Sequence, residues 1–200
     1  MSDELSAANT SSGKGSVLAR WVSILLHPFV VFIGLTLLSA RALAPQALGP
    51  SMLGVALAVV VTGAFVAQRR HGGHWTTVDA SHRSERPVLY VVLLGVLAIC
   101  WWWMHRQAPA LAPGIAAVVA MLLAAAVFNR WIKLSLHMAS LAFAAVSLGA
   151  LAGPYVLIAA ALLPLLGWAR IRMARHTLAE VLGGTALGAV SAWVLRWWLG

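Results

Sequence analysis

His176 and Glu180 lie four residues apart where the last apolar stretch begins, directly after Arg170, Arg172 and Arg175. On a helix this spacing puts both on one face, where the carboxylate accepts a hydrogen bond from the imidazole. A carboxylate behind a histidine fixes its tautomer and raises its basicity, leaving the other ring nitrogen free to attack as a nucleophile. Lys133 and His137 repeat the spacing, with Ser135 near the same helix end. A third polar cluster runs Asp79-Ala-Ser-His82-Arg83-Ser-Glu85-Arg86-Pro87. Two histidines among arginines and lysines suit phosphoryl transfer. Cations hold the phosphate oxygens and stabilise transition-state charge, one histidine attacks, and the other protonates the leaving group.

The elements that position these residues are membrane spans. Of the 200 residues, 62% are hydrophobic and only 10% are charged, an excess that a soluble domain of this size cannot bury. Apolar runs at 21–40, 48–67, 87–104, 110–128, 132–151, 154–168 and 177–198 predict an all-α, polytopic transmembrane helical bundle of six to seven spans. Residues 1–17 are polar, rich in Ser and Gly, and lack the pattern of a signal peptide. They are expected to form a disordered tail before a single transmembrane domain over 18–200. Turns at Ala44-Pro45, at Pro109 and Pro113, and at Gly153-Pro154 fall on one face, and all three polar clusters fall on the other.

Glu180 is the only acid embedded in a predicted span, and an ionisable group there is a functional candidate. Asp3, Glu4, Asp79 and Glu85 are the remaining acids, too few for an enzyme that holds Mg²⁺ through several carboxylates. The net charge of +9 favours anionic lipid head groups or an anionic substrate over nucleic acid. Cys100 is the one cysteine, so no disulfide framework or thiolate metal site exists, and it reads as a small core residue. His71-Gly-Gly-His74 reads as plain loop, because no acid accompanies the pair. His27-Pro28 reads as a kink whose imidazole bonds a neighbouring carbonyl, and Gly184 with Gly188 as close helix packing. Asp79 either pairs with Arg83 to order its loop or positions a cation of the site.

Arg170, His176 and Glu180 form an Arg-x5-His-x3-Glu pattern that resembles the third signature of the type 2 phosphatidic acid phosphatase superfamily, Arg-x5-His-x3-Asp. The glycines at 183, 184 and 188 follow it as small residues do in that family. Ser135-Leu136-His137 resembles the second signature, Ser-Gly-His, and Arg86-Pro87 the end of the first, Lys-x6-Arg-Pro. The order of the three agrees, over roughly residues 50–195. This chain departs from the pattern in having Asp79 at the lysine of the first signature, Leu136 at the glycine of the second and Glu180 at the aspartate of the third.

The resemblance implies a metal-independent lipid phosphatase that needs no cofactor and passes through a phosphohistidine. His176 would be the nucleophile, Glu180 its orienting partner and His137 the general acid. Arg86, Arg170 and Ser135 would cradle the phosphate, and the contact of the missing lysine is either lost or taken over by Lys133 or Arg83. The expected substrate is a polyprenyl phosphate or diphosphate, phosphatidate or phosphatidylglycerol phosphate, entering sideways from the bilayer. The competing functions are a catalytically silent lipid-phosphate-binding scaffold, an anion transporter with a basic vestibule, and a lipid-transferring synthase. Membrane lipids are the only other partners implied; nucleic acid is not, and the oligomeric state is left open. A bacterial plasma membrane is the expected location. Eleven Lys and Arg residues on the cluster face against Arg41, Arg106 and Arg196 opposite place the site toward the cytoplasm, whereas the resemblance more often implies the outer side.

Overall fold

A computed structural model describes residues 15–73, 75, 85–149 and 153–199. They form eight α-helices and no strands: α1 (Gly15–Leu25), α2 (Pro28–Leu43), α3 (Leu48–His71), α4 (Arg86–Gln107), α5 (Ala112–Phe128), α6 (Leu136–Gly149), α7 (Gly153–Arg172) and α8 (Leu178–Leu199). Each apolar run read from the sequence holds one helix, except that the first is broken at Leu26–His27, where α1 and α2 meet at a 41° bend. Pro28 explains the break. As the first residue of α2 its fixed φ suits a helix start, while its ring and missing N–H prevent α1 from continuing through it. Helix α1 begins at Gly15, so three residues of the tail expected over 1–17 are helical. Residues 1–14 lie outside the described ones.

Four stretches are long and apolar enough to cross a membrane: Pro45–His71, Arg86–Gln107, Pro109–Phe128 and Leu178–Leu199. The bent pair α1–α2 makes a fifth if it counts as one span. Large apolar side chains stand exposed on their outer faces, among them Val60 and Val61 on α3, Val91 and Ile99 on α4, and Leu182 and Val190 on α8. An apolar exterior of this extent suits a hydrocarbon surround and would aggregate in water.

Helix α6 is the axis of the bundle. Only 14 residues long, it is buried almost throughout, from His137 to Ala145, and packs against α8, α7 and α2. Ala139 of α6 and Ser135 just before it face Gly188 and Gly184 of α8, and the two backbones close together. A Cβ on Gly188 would overlap the Ala139 backbone, and one on Gly184 the Ser135 backbone. This is the close packing expected of that glycine pair.

The turns separate the bundle into two ends. Ala44, Ala47, Met104, Ala108 and Leu111 form one small cluster, so the first and third turns meet at one end. At the other, Ala19, Val22, Met138, Leu166, Ala169 and Val181 pack α1, α6, α7 and α8 into the core beneath the polar clusters.

Candidate active site

Two capping motifs build the turn that carries His176. Helix α7 ends with the Ala174 N–H bonded to the Ile171 carbonyl at 2.9 Å and the Arg175 N–H to the Arg170 carbonyl at 3.1 Å. This is the Schellman pattern, and it needs a left-handed residue that is usually glycine. Ala174 fills that place with φ of +52°. The reversal returns the chain to Arg170, whose carbonyl also accepts from the His176 N–H at 3.4 Å.

Helix α8 then starts with a reciprocal cap. The Glu180 N–H donates to Thr177 Oγ1 at 3.3 Å, while Glu180 Oε2 accepts from the Thr177 N–H at 3.1 Å. Thr177-x-x-Glu180 is therefore a capping box. The same Oε2 lies 2.9 Å from His176 Nδ1. A carboxylate only accepts, so Nδ1 carries the proton and Nε2 keeps its lone pair. The expected pair is formed, although not by one helical face: His176 precedes α8, and the folded-back glutamate of the cap reaches it.

Lys133 and His137 do not share a helical face. Asn129–Trp131 form a turn, 132–135 run without helix, and α6 starts at Leu136. The reason is competition for the backbone. The Ser135 N–H donates to the Glu180 carbonyl at 3.1 Å, and the Leu134 carbonyl accepts from Arg86 Nη1 at 2.8 Å. Lys133 instead extends to the Arg175 carbonyl at 2.9 Å and lies 4.0 Å from Glu180 Oε2. It therefore joins the His176 cluster by a route that its spacing to His137 does not predict.

Arg86 and Arg170 are both buried, at 3% exposure each. Arg170 Nη1 donates to Ser23 Oγ at 2.8 Å, which ties α1 to the site. Burial, followed by the charges of Arg170 and Arg86 and then of Lys133, pushes the His176 imidazole down from 6.5 to about 4, against the opposing pull of Glu180. His176 is thus a neutral base at neutral pH, held among cations that an entering anion would neutralise. Ser135 completes the cluster: fully buried, its Oγ has no hydrogen-bond partner among the described residues. A buried hydroxyl without a partner costs free energy that an entering acceptor recovers.

His137 sits in the first turn of α6, two residues beyond Ser135. Its ring meets that of His27 edge to face with centroids 5.0 Å apart, and both line a large apolar groove. His27 marks the expected kink, and its Nδ1 accepts the Phe29 N–H at 3.3 Å and so caps α2. His71 Nδ1 bonds the Ala67 carbonyl at 2.7 Å, and no cluster of metal-binding side chains occurs among the described residues. Cys100 is half-buried, with Sγ 3.8 Å from the Gly54 carbonyl. Arg83, Asp79, His82 and His74 lie outside the described residues.

The structure thus gathers His176, Glu180, Lys133, Arg86, Arg170 and Ser135, with His137 beside them at the groove. Sequence reasoning passed over Ser23 and Thr177 and read His27 only as part of a kink. Only Thr177 carried a readable signal, the Thr-x-x-Glu spacing of a capping box. No model of a known protein family matches the chain, and neither does any curated protein or solved structure.

Proposed function

We propose that this chain is an integral membrane phosphatase that removes phosphate from a lipid phosphate monoester or diphosphate without a metal ion. The observation that carries the proposal is the His176 Nδ1–Glu180 Oε2 contact of 2.9 Å, beside the buried Arg86 and Arg170 and the half-buried Lys133. It supplies a neutral nucleophile with a fixed tautomer and cations for an anionic substrate, the two requirements of phosphoryl transfer through histidine.

In the first step His176 Nε2 bonds to phosphorus, the bond from phosphorus to the lipid oxygen breaks, and His137 gives that oxygen its proton. In the second, water attacks the phosphohistidine and its proton returns to His137. Inorganic phosphate leaves, and the phosphorus–nitrogen bond breaks to restore His176. Arg86, Arg170 and the Ser135 hydroxyl hold the phosphoryl oxygens, and Lys133 with Glu180 sets the local charge. An alcohol in place of water would make the same intermediate a phosphate-transfer route.

Six to seven crossings, with the cluster face in the cytoplasm of a bacterial cell, belong to the same proposal. The seven helix-filled apolar runs and the bias of Lys and Arg toward the cluster face support them. A Gly73→Cys variant in intact cells should resist an impermeant thiol reagent, and strong labelling would put the site outside.

The chemistry is tested by acid-sparing quench of the protein mixed with a lipid phosphate labelled at phosphorus. Label should appear on His176 and be absent from His176→Asn. Hydrolysis with no labelled histidine at any time point would refute the covalent route.

A further inference from the structure

The groove that His27 and His137 line is a cavity of about 500 Å³ bounded by α2, α3, α4, α5, α6 and the end of α8. On α2 its wall runs from His27 to Leu43, and on α3 from Val55 to His71. At 1.5 Å per residue each wall is about 24 Å long. One mouth carries His27, Arg70, His71 and His137, at the end of the bundle where the His176 cluster lies. The other carries Ala110, Leu111, Leu199 and Arg196, at the opposite end. Between the mouths the lining is apolar apart from small hydroxyls such as Thr36, Thr62 and Ser140. Gly63 of α3 and Gly114 of α5 both line the groove, and a Cβ on either would meet nothing within 4 Å.

We propose that this groove holds the hydrocarbon tail of the substrate, and that the tail is a single chain longer than one membrane leaflet, of the polyisoprenoid type. The proposal rests on the lipid phosphatase assignment for the identity of the head group, and on the groove itself for the tail. Half of a hydrocarbon core about 30 Å thick is about 15 Å, the reach of an ordinary diacyl lipid. A 24 Å channel passes the midplane and ends near the far interface, which leaves most of its outer half empty if the tail stops at a leaflet's depth. Empty apolar space is costly and stays dry, so the occupant that fills the whole length is favoured over one that fills part of it. Charge sets its direction. The basic mouth beside His137 takes the phosphate end, and the chain continues away from it toward Leu43 and Leu199. His137 then stands where tail meets head, the position required of the group that protonates the lipid oxygen.

The two glycines divide the groove by depth. Gly63 is eight residues from His71, about 12 Å from the basic mouth, and Gly114 lies in the first turn of α5 at the far end. Neither Gly63→Trp nor Gly114→Trp meets a neighbour at its Cβ, and replacing a helical glycine improves helix propensity, so both variants should fold. Native mass spectrometry in detergent would measure binding of three phosphonate probes that resist hydrolysis: farnesyl phosphonate, a polyprenyl phosphonate with a tail beyond 24 Å, and the phosphonate analogue of dioleoyl phosphatidate. The expected order for the unmodified protein is long polyprenyl first, by roughly tenfold or more over the diacyl probe. Gly114→Trp should weaken the long probe about tenfold and the farnesyl probe less than twofold, and Gly63→Trp should weaken both. Equal binding of long and diacyl probes, or a long probe unaffected by Gly114→Trp with circular dichroism unchanged, overturns the tail assignment. Because the readout is binding, a protein that selects the long chain yet releases no phosphate from its phosphate ester would refute the phosphatase assignment and leave the groove assignment standing.

Discussion

One oxygen of Glu180 serves two neighbours: Oε2 accepts the Thr177 N–H at 3.1 Å and lies 2.9 Å from His176 Nδ1. The group that orients His176, the proposed nucleophile, is therefore the group that closes the N-terminus of α8. Local folding and site geometry are one event at this turn. A negative side chain there is also favoured by the positive end of the helix dipole.

The two duties separate by substitution. Thr177→Ala removes the hydroxyl half of the cap and should cost about 1 kcal/mol of stability while sparing most of the activity. Glu180→Gln keeps an acceptor for the cap but can present its amide to the histidine. Phosphate release should fall about 10²–10⁴-fold, as when an orienting carboxylate is lost from a catalytic triad. Equal effects of the two variants on melting temperature and turnover would mean that Glu180 acts through the fold alone.

Ser135→Ala should behave unlike other core substitutions. Its Oγ is buried with no partner among the described residues, so its loss removes the cost of that desolvated hydroxyl and stability should rise by about 1 kcal/mol. Binding of inorganic phosphate should weaken roughly tenfold, the loss of about one hydrogen bond to a charged ligand. A large drop in melting temperature with phosphate affinity intact would remove Ser135 from the site.

His176 sets the acid side of the pH profile. With its folded value depressed to about 4 from 6.5, the proposed nucleophile stays unprotonated through the mildly acidic range, and activity should fail on the acid side near pH 4. Between 6.5 and 4 the unfolded chain binds a proton that the folded one does not, so stability should decline as pH falls through that window and be insensitive to His176 above it. Lys133→Gln removes one of the charges that lower the value, after burial, Arg170 and Arg86, and should move the acid limb upward. Histidine NMR titration checks both, and a His176 resonance titrating near 6.5 in the folded protein would contradict the buried cationic site.

Ala174 holds the left-handed place in the turn after α7 with φ of +52°. Glycine adopts this conformation without a Cβ penalty, so Ala174→Gly should stabilise the protein by about 1 kcal/mol. A thermal melt in the same detergent tests it. A fall in melting temperature would mean that the turn is held differently.

The helical class and the residues of the candidate site were legible because charge is so sparse in this chain. Among apolar residues, Arg170, His176 and Glu180 stand out, and their proximity follows from short separations. The way they meet was not legible from helical periodicity. The spacing of Lys133 and His137 suggested one helical face, but Arg86 and Glu180 hold the backbone at Leu134 and Ser135 out of α6. Those partners come from helices remote in sequence. Ser23 was silent for the same reason: a lone serine gives no hint of an arginine 147 residues away. The groove leaves no pattern at all, since it is defined by where Gly63 and Gly114 lack neighbours.

Phosphate release by the purified protein from a panel of lipid phosphates, with EDTA present, tests the central claim most directly. His176→Ala and His137→Ala belong beside it, with circular dichroism to verify folding. Release that persists in EDTA and disappears in both variants is the predicted result. An intact bundle that releases no phosphate from any lipid would contradict a metal-independent histidine phosphatase and leave a scaffold that binds lipid phosphate through its arginines.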